Sequence, residues 1–234
     1  MELPLPTLYI ANKNYSSWSL RPWVLMRVLG IPFEEKIEPL LPGSCWDAYR
    51  SFSPNGRVPC LHDGKLVVWE SLAIVEYLAE RHAGVWPADE EARAWARCAA
   101  SEMHAGFSAL RNQCPMNCGL RVELNTVSPE LQRDLDRVDE LWSEGLERFG
   151  GPWLGGAAFT AVDAFFAPVA FRIQTYGLTL GNAAMAFVQR MLQLDAMREW
   201  YAAGLKETWR EEAHDQEARD SGKVVADFRA LAAG

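Results

Sequence analysis

The stretch SPNGRVPCLHDGKLVVWESLAIVEYLAE, Ser53–Glu80, contains two short strand-like runs followed by a helical pattern. Val58–His62 and Leu66–Trp69 are rich in β-prone residues, and the Asp63-Gly64 pair between them is a strong hairpin signal. A helix is predicted from Ser71, because apolar residues then recur on one face. These apolar positions are Leu72, Val75 and Leu78. The stretch therefore predicts a ββα unit.

The residues before this unit predict a strand, a helix and a second strand. Thr7–Ala11 is a short β-prone run. Apolar residues then recur at helical spacing until Gly30, which is a natural helix C-cap. Phe33–Ile37 is the next strand-like run. The order is βαβ, an irregular segment, and then ββα, so we predict an α/β domain of the thioredoxin-like kind.

Strand signals disappear after Val85-Trp86-Pro87, and helical periodicity continues from there to the end of the chain. We therefore predict two domains, residues 1–84 and residues 92–234, joined by a linker over residues 85–91. Glu90–Asn112 is predicted to form one long helix. The second domain is expected to be all-helical.

Two capping signals and a charged tail mark the second domain. Ser128 followed by Pro129 is typical of a helix start. Thr160 and Asp163 have capping-box spacing at the start of a heavily apolar helix, which we expect at the centre of the domain. The tail from Lys206 is highly charged and ends with an apolar stripe, so it is either a docked helix or a frayed end. That stripe consists of Val224, Val225, Phe228 and Leu231.

Charge and composition exclude several classes of protein. The chain of 234 residues is 49% hydrophobic, which is enough for a substantial core. Its formal net charge of −8 argues against nucleic acid or an anionic membrane as the main partner, because both need a concentrated basic face. The opening MELPLPTLYI lacks the pattern of a signal peptide, and no window resembles a membrane span. We expect a soluble cytoplasmic protein.

The cysteines favour a reducing compartment. There are five, an odd number with irregular spacing, which does not suit a disulfide framework. Cys114 and Cys118 form a CxxxC pair, but no second His/Cys pair at zinc-finger spacing accompanies them. No metal site is therefore predicted.

The Val58-Pro59 pair before the hairpin and the Glu70-Ser71 pair after it resemble the glutathione-binding half of cytosolic glutathione transferases. The helical second domain and the Thr160–Asp163 cap are also similar to that family. The resemblance implies glutathione as co-substrate, no metal and a homodimer. It also implies a thioredoxin-like domain followed by an all-α domain, the glutathione-transferase fold.

The resemblance implies a role for each residue of these pairs. A cis Val58-Pro59 bond would present the Val58 backbone to the peptide groups of glutathione. Ser71 and the free N–H groups at the helix start would bind the γ-glutamyl carboxylate, and Glu70 the ammonium. Outside this context, Ser71 is an ordinary N-cap, Glu70 a first-turn acid and Pro59 the start of an edge strand. Relatives often carry a Lys, His or Gln before this turn to bind the glycyl carboxylate. Here Arg50 is the only basic residue in that segment and does not align with the role, so Arg57 is a different candidate.

The stretch YSSWSLRPW, Tyr15–Trp23, occupies the place where serine-type transferases activate the glutathione thiol. It is similar to the zeta-class pattern Ser-Ser-Cys-Ser followed by Arg, with Trp18 in place of the cysteine. This difference removes a thiol that the isomerases of the class carry, so maleylacetoacetate isomerisation becomes doubtful. We predict that Ser16 or Ser17 donates to the sulfur and that Ser19 caps the helix, with Tyr15 a weaker candidate for the sulfur.

An electrophile site is expected on the long helix of the second domain, beside Trp18. Met103, His104, Phe107 and Arg111 recur there at roughly helical spacing. Met103 and Phe107 are better explained as core residues, whereas His104 and Arg111 carry polar groups that need partners.

The predicted activity is conjugation of glutathione to a small electrophile. Two alternatives remain, a binding or regulatory protein that keeps the fold without catalysis, and a glutathione-dependent isomerase or peroxidase.

Overall fold

The computed structural model describes residues 4–40 and 45–231, without the side chains of residues 230 and 231. The first part of the chain contains a four-stranded sheet with strand order β2-β1-β3-β4, in which β1 and β2 are parallel and the other pairs antiparallel. Its elements are β1 (Thr7–Ile10), α1 (Ser17–Val28), β2 (Glu34–Ile37), α2 (Trp46–Tyr49), β3 (Cys60–Asp63), β4 (Leu66–Trp69) and α3 (Ser71–Ala79). The predicted βαβ-ββα order is confirmed.

The turns of this part follow the local sequence signals. Gly64 has a φ of 59° in the β3–β4 hairpin, and Gly30 has a φ of 64° just after α1. Both positions lie in the left-handed region that glycine adopts without a steric penalty. The Val58-Pro59 peptide bond is cis, as the resemblance implied.

The second part is mainly helical and is built around one buried helix. Its helices are α4 (Glu90–Ala105), α5 (Ser108–Gln113), α6 (Pro129–Arg148), α7 (Ala161–Tyr176), α8 (Asn182–Gln193), α9 (Asp195–Lys206), α10 (Glu212–Ser221) and α11 (Phe228–Leu231). All but one residue of α7 are buried, and α7 packs against α1 of the first part and against α4. The Ser128 cap of α6 and the Thr160–Asp163 capping box of α7 are both present. The predicted central helix is confirmed.

The prediction of one helix over Glu90–Asn112 is wrong. α4 ends at Ala105, Phe107 adopts a left-handed conformation with a φ of 59°, and α5 begins at Ser108. The Asp134 carboxylate on α6 accepts a hydrogen bond from the Leu110 N–H at 2.9 Å, which satisfies a free donor at the start of α5. A contact from a distant helix therefore stabilises the new start.

The second domain is helical as predicted, apart from a two-stranded sheet. The tail, predicted as a docked helix or a frayed end, contains the helix α10 followed by a strand. β6 (Gly222–Asp227) pairs antiparallel with β5 (Leu120–Leu124), so part of the apolar stripe is strand. A Cβ at Gly222 would clash with the Glu123 carbonyl oxygen, so the two backbones approach closely there. The division into residues 1–84, 85–91 and 92–234 stays a prediction.

Within residues 4–40 and 45–231, none of the helices combines the length and the apolar character needed to cross a bilayer.

Candidate functional site

The turn before α1 carries the hydroxyl groups singled out in the sequence. Ser16 is the N-cap of α1, and its Oγ accepts from the Ser19 N–H at 3.4 Å and donates to Ser19 Oγ at 2.8 Å. Ser19 is fully buried, and its Oγ accepts from the Ala11 N–H at 3.2 Å. The prediction that Ser19 caps this helix is therefore wrong, because the helix begins directly after Ser16.

Ser17 has a different environment from the other two serines. It lies at the first position of α1, is 7% exposed and lines the larger of two neighbouring cavities. Within the described parts of the chain, neither the Ser17 hydroxyl nor the backbone N–H of Trp18 has a hydrogen-bond partner. Both are polar donors at the positive end of α1, where a helix favours negative charge.

The Tyr15 hydroxyl serves a structural network. It donates to Asp215 Oδ1 at 3.0 Å and accepts from Arg229 Nη1 at 2.7 Å. Burial, followed by the charge of Asp215, raises the pKa of Tyr15 to about 12. Tyr15 is therefore a neutral hydroxyl whose hydrogen atom is already committed to Asp215.

A smaller cavity of about 320 Å³ lies beside the start of α3. Glu70 precedes the helix with a φ of 69°, and its Oε1 accepts from Asn55 Nδ2 at 3.0 Å. Ser71 is fully buried, and its Oγ has no hydrogen-bond partner among the described residues. A buried hydroxyl without a partner is costly, so this one is suited to a ligand.

Asn55 was missed by the sequence reasoning. Its Oδ1 accepts from Ser53 Oγ at 2.9 Å and from the Arg57 N–H at 3.1 Å, while its Nδ2 binds Glu70. It therefore joins the turn before the cis bond to the residue that precedes α3. The Asn-Gly pair at residues 55–56 is a turn signal that pointed to this position.

Arg57, Val58 and Trp18 line both cavities, so the two spaces meet at these residues. Pro59 lines the smaller one. The Arg57 side chain is exposed. Its assignment to the glycyl carboxylate of glutathione stays a prediction.

The four residues predicted on the long helix separate into two groups. Met103 and Phe107 are 1% and 6% exposed, belong to the core and are not among the residues that line either cavity. His104 lines the smaller cavity, and its ring packs edge-on to Trp18 with centroids 5.2 Å apart. Arg111 lines the larger cavity, held by bonds from its guanidinium to the carbonyl oxygens of Gly106 and Met103.

Three arginines give this region a positive charge. Arg21 is fully buried between the rings of Trp18 and Phe165, 4.2 and 4.9 Å from their centroids, and none of its side-chain nitrogens has a hydrogen-bond partner among the described residues. Burial, then Arg111 and Arg172, holds the pKa of Arg21 well below its usual range. Over residues 4–40 and 45–231, no ion pair links the guanidinium groups of Arg21, Arg111 and Arg172 to a carboxylate.

The pKa values of His104 and Arg172 are both lowered by burial and by neighbouring arginines. Burial, followed by the charge of Arg21, lowers the pKa of His104, so its ring is neutral at pH 7. Burial, then the charge of Arg111, lowers the pKa of Arg172 to about 10, so this residue keeps its charge at pH 7. The site therefore combines permanent positive charge with a neutral imidazole.

The larger cavity has a volume of about 540 Å³ and is formed by both parts of the chain. The α1 turn, the residues around α2 and the loop before β3 form one side. The other side comes from α5, the loop after it, α7 and α10, through Arg111, Pro115, Met116, Arg172, His214 and Glu217. The space suits a small-molecule ligand.

Comparison with known proteins identifies the class to which this fold and site belong. The family model of the glutathione S-transferase N-terminal domain matches residues 15–81, and that of the C-terminal domain matches residues 123–203. The chain belongs to the glutathione S-transferase family.

The relatives match different shares of this chain. Glutathione S-transferase GstB of Escherichia coli is 28% identical over 185 residues, 72% of this chain and 84% of that protein. A probable maleylacetoacetate isomerase of Caenorhabditis elegans is 31% identical over 109 residues, 46% of this chain and 50% of that protein. A glutathione transferase homologue from Burkholderia, solved with bound glutathione, has a TM-score of 0.65 at 21% identity and covers 87% of this chain and 100% of its own.

Proposed function

We propose that this protein is a glutathione transferase that conjugates glutathione to a small electrophile, with Ser17 as the donor to the sulfur. The observation that carries the proposal is the Ser17 hydroxyl, which has no partner among the described residues and lines the larger cavity at the start of α1. Ser16 is the cap of the helix and supports the same turn.

Glutathione would extend from the smaller cavity into the larger one. Its γ-glutamyl carboxylate would bind Ser71 Oγ and the N–H groups at the start of α3, with its ammonium at Glu70. Its cysteinyl peptide group would pair with the Val58 backbone beside the cis Pro59. This placement would satisfy the buried Ser71 hydroxyl and bring the thiol to Trp18, which lines both cavities, and to Ser17 in the larger one.

Activation of the thiol would follow from hydrogen bonding and charge. A free thiol has a pKa near ~8.5 and is mostly protonated at neutral pH. Donation from Ser17 and from the Trp18 N–H, at the positive end of α1, stabilises the thiolate by about 1–3 kcal/mol. The thiolate then attacks the electrophile, forming the S–C bond.

The chemistry of the larger cavity favours an electrophile with a carbonyl or carboxylate group. Arg111 and Arg172 line this space, and no carboxylate pairs with either in the described part of the chain. Trp18 offers an aromatic face beside them, with the Arg111 guanidinium 4.7 Å from its centroid. A planar electrophile with an oxygen substituent would use both features.

Isomerisation is a second candidate, favoured by the similarity to the Caenorhabditis elegans protein named as a probable maleylacetoacetate isomerase. In that reaction the thiolate would add to a double bond and leave again, so glutathione would not be consumed. Trp18 occupies the position of the zeta-class cysteine, which favours conjugation. A protein without catalysis is a third candidate. Ser17 and the arginines that line the larger cavity, together with the unpartnered Ser71 hydroxyl next to Glu70 of the smaller one, favour a ligand that reacts.

Calorimetry with glutathione, followed by turnover of a panel of electrophiles, tests the proposal. We expect binding that weakens in Ser71→Ala and a conjugate whose formation consumes glutathione. Unchanged glutathione with an isomerised product would favour isomerisation. Absence of binding at millimolar glutathione would overturn the proposal.

A homodimer is also expected from the family resemblance. β4 is an edge strand of the sheet, and it carries the exposed side chains of Leu66, Val67 and Trp69. Burying these apolar groups against a second copy of the chain would stabilise a dimer. Sedimentation of the purified protein distinguishes a dimer from a monomer.

A further inference from the structure

The segment from Glu207 to Arg229 lies outside both matching family domains and is bonded to the turn before α1. The Glu207 carboxylate accepts from the Lys13 N–H at 2.5 Å and from the Asn14 N–H at 3.3 Å. Arg229 donates to the Glu207 carbonyl oxygen at 2.8 Å and to the Tyr15 hydroxyl at 2.7 Å. The two regions are therefore held together across about 200 residues of sequence.

A second group of bonds fixes α10 on the same turn. Asp215, which is 1% exposed, accepts from the Tyr15 hydroxyl at 3.0 Å and from Asn117 Nδ2 at 2.9 Å. Arg210 donates to the other oxygen of Asp215 at 3.2 Å. A buried carboxylate with this many partners fixes the position of the helix that carries it.

His214 precedes Asp215 and lines the larger cavity together with Ser16 and Ser17. Its Nδ1 lies 2.6 Å from Glu211 Oε2, which also accepts from the His214 N–H at 2.8 Å. The ring packs against Tyr15 with centroids 5.4 Å apart. These contacts hold the ring and leave Nε2 without a partner in the described part of the chain.

We infer that His214 is a further catalytic residue, an acid–base group that exchanges a proton with the substrate in the larger cavity, with Glu211 as its positioning residue. The inference rests on the proposed function. A carboxylate that binds Nδ1 fixes the tautomer and the orientation of the ring, so that Nε2 is the atom left to exchange the proton.

The step balances for addition of the thiolate to an activated double bond. The sulfur forms a bond to the electrophilic carbon, and the π electrons of the double bond move to the adjacent carbon and its carbonyl oxygen. His214, as the imidazolium, gives its Nε2 proton to that developing anion and becomes neutral. It then takes a proton from water before the next cycle.

Charged groups of both signs line the larger cavity or lie on and before α10, beside this imidazole. Tyr15 faces the ring as a neutral hydroxyl. The charged groups concerned are Arg57, Arg111, Arg172, Arg210, Glu211, Asp215 and Glu217.

The test compares His214→Gln with the wild-type protein and with His82→Gln, a histidine beyond the end of α3 and outside both cavities. We expect His214→Gln to lower kcat/KM for an activated alkene by roughly a hundredfold, and to remove the limb of the pH profile in which activity falls as the imidazolium loses its proton. Glutathione affinity and thermal midpoint should stay at their wild-type values, because the backbone bond to Glu211 remains. His82→Gln should leave kcat/KM, the pH profile, the glutathione affinity and the thermal midpoint unchanged.

Glu211→Gln provides a second readout. Without the carboxylate the ring loses the partner that orients its Nδ1, so kcat for the alkene should fall while KM for glutathione stays at its wild-type value. An unchanged rate and pH limb in His214→Gln would overturn the inference, and so would a loss of thermal stability without a loss of rate. A wild-type protein that binds no glutathione would overturn the proposed function and this inference with it. A wild-type protein that conjugates glutathione but is insensitive to His214→Gln would overturn the inference alone.

Discussion

The starts of α1 and α7 use the same kind of residue for different purposes. At α7, the Asp163 carboxylate accepts from the Leu154 N–H at 2.9 Å and the Thr160 N–H at 2.8 Å, and the whole turn is buried. At α1, Ser16 caps the helix, but the next hydroxyl, that of Ser17, is left to a cavity. A hydroxyl or carboxylate at a helix start is therefore structural where neighbouring backbone groups satisfy it and available for binding where they do not.

The largest effect on stability is expected from a substitution at the start of α7, where the Asp163 carboxylate is hydrogen-bonded. Asp163→Ala removes the acceptor of two buried N–H groups, so we expect the free energy of unfolding to fall by about 2–4 kcal/mol. Turnover per folded molecule should be unchanged. Chemical denaturation and an active-site titration measure the two quantities separately, and a loss of turnover without a loss of stability would contradict this view of α7.

The pH dependence of stability sharpens the same comparison. Burial raises the pKa of Asp163 from 3.8 to about 7, although hydrogen bonds from Leu154 and Thr160 oppose the shift. Between these values the folded state binds more protons than the unfolded state, so this group should make stability fall as pH rises from about 4 to about 7. Asp163→Asn should flatten that slope in denaturation curves across the range, and an equal slope in both proteins would contradict the assignment.

At α1 the expected loss is in chemistry. Ser17→Ala should cost on the order of 1.5–3 kcal/mol in the transition state, roughly ten- to more than a hundredfold in turnover. The thermal midpoint should change little, because this hydroxyl has no partner in the described part of the chain. Turnover of a generic electrophile and a melting curve, measured side by side, check the prediction; full turnover in Ser17→Ala would contradict it.

Ser16→Ala is the matched control within the same turn. It removes the cap, so stability should fall by about 1 kcal/mol with a smaller loss of turnover than in Ser17→Ala. The reverse order of turnover losses would transfer the sulfur contact to Ser16.

The sequence predicted the start of α7 but placed the cap of α1 at Ser19 instead of Ser16. Residue types offered three serines for this cap, whereas the choice depends on the backbone of Ser16, with φ −82° and ψ 87°. At α7 the box spacing of Thr160 and Asp163 was sufficient, because the cap is completed within four residues. A sequence pattern therefore predicts hydrogen bonds between residues that are close together in the chain.

Features that depend on distant residues were missed. The helical period continues across Gly106 and Phe107, and the break involves Asp134 on α6. The pairing of β6 with β5 joins segments about 100 residues apart. His214 carried no signal in the sequence, since its place in the cavity depends on the bond between Tyr15 and Asp215.

The pKa of the thiol of bound glutathione tests the central claim most directly. Thiolate absorbs in the ultraviolet, so a pH titration of the complex reports this value for the wild-type protein, Ser17→Ala and Ser16→Ala. We expect a wild-type value below the ~8.5 of a free thiol, raised by about one to two units in Ser17→Ala and by less in Ser16→Ala. The same thiol pKa in the wild-type protein and Ser17→Ala would contradict the account.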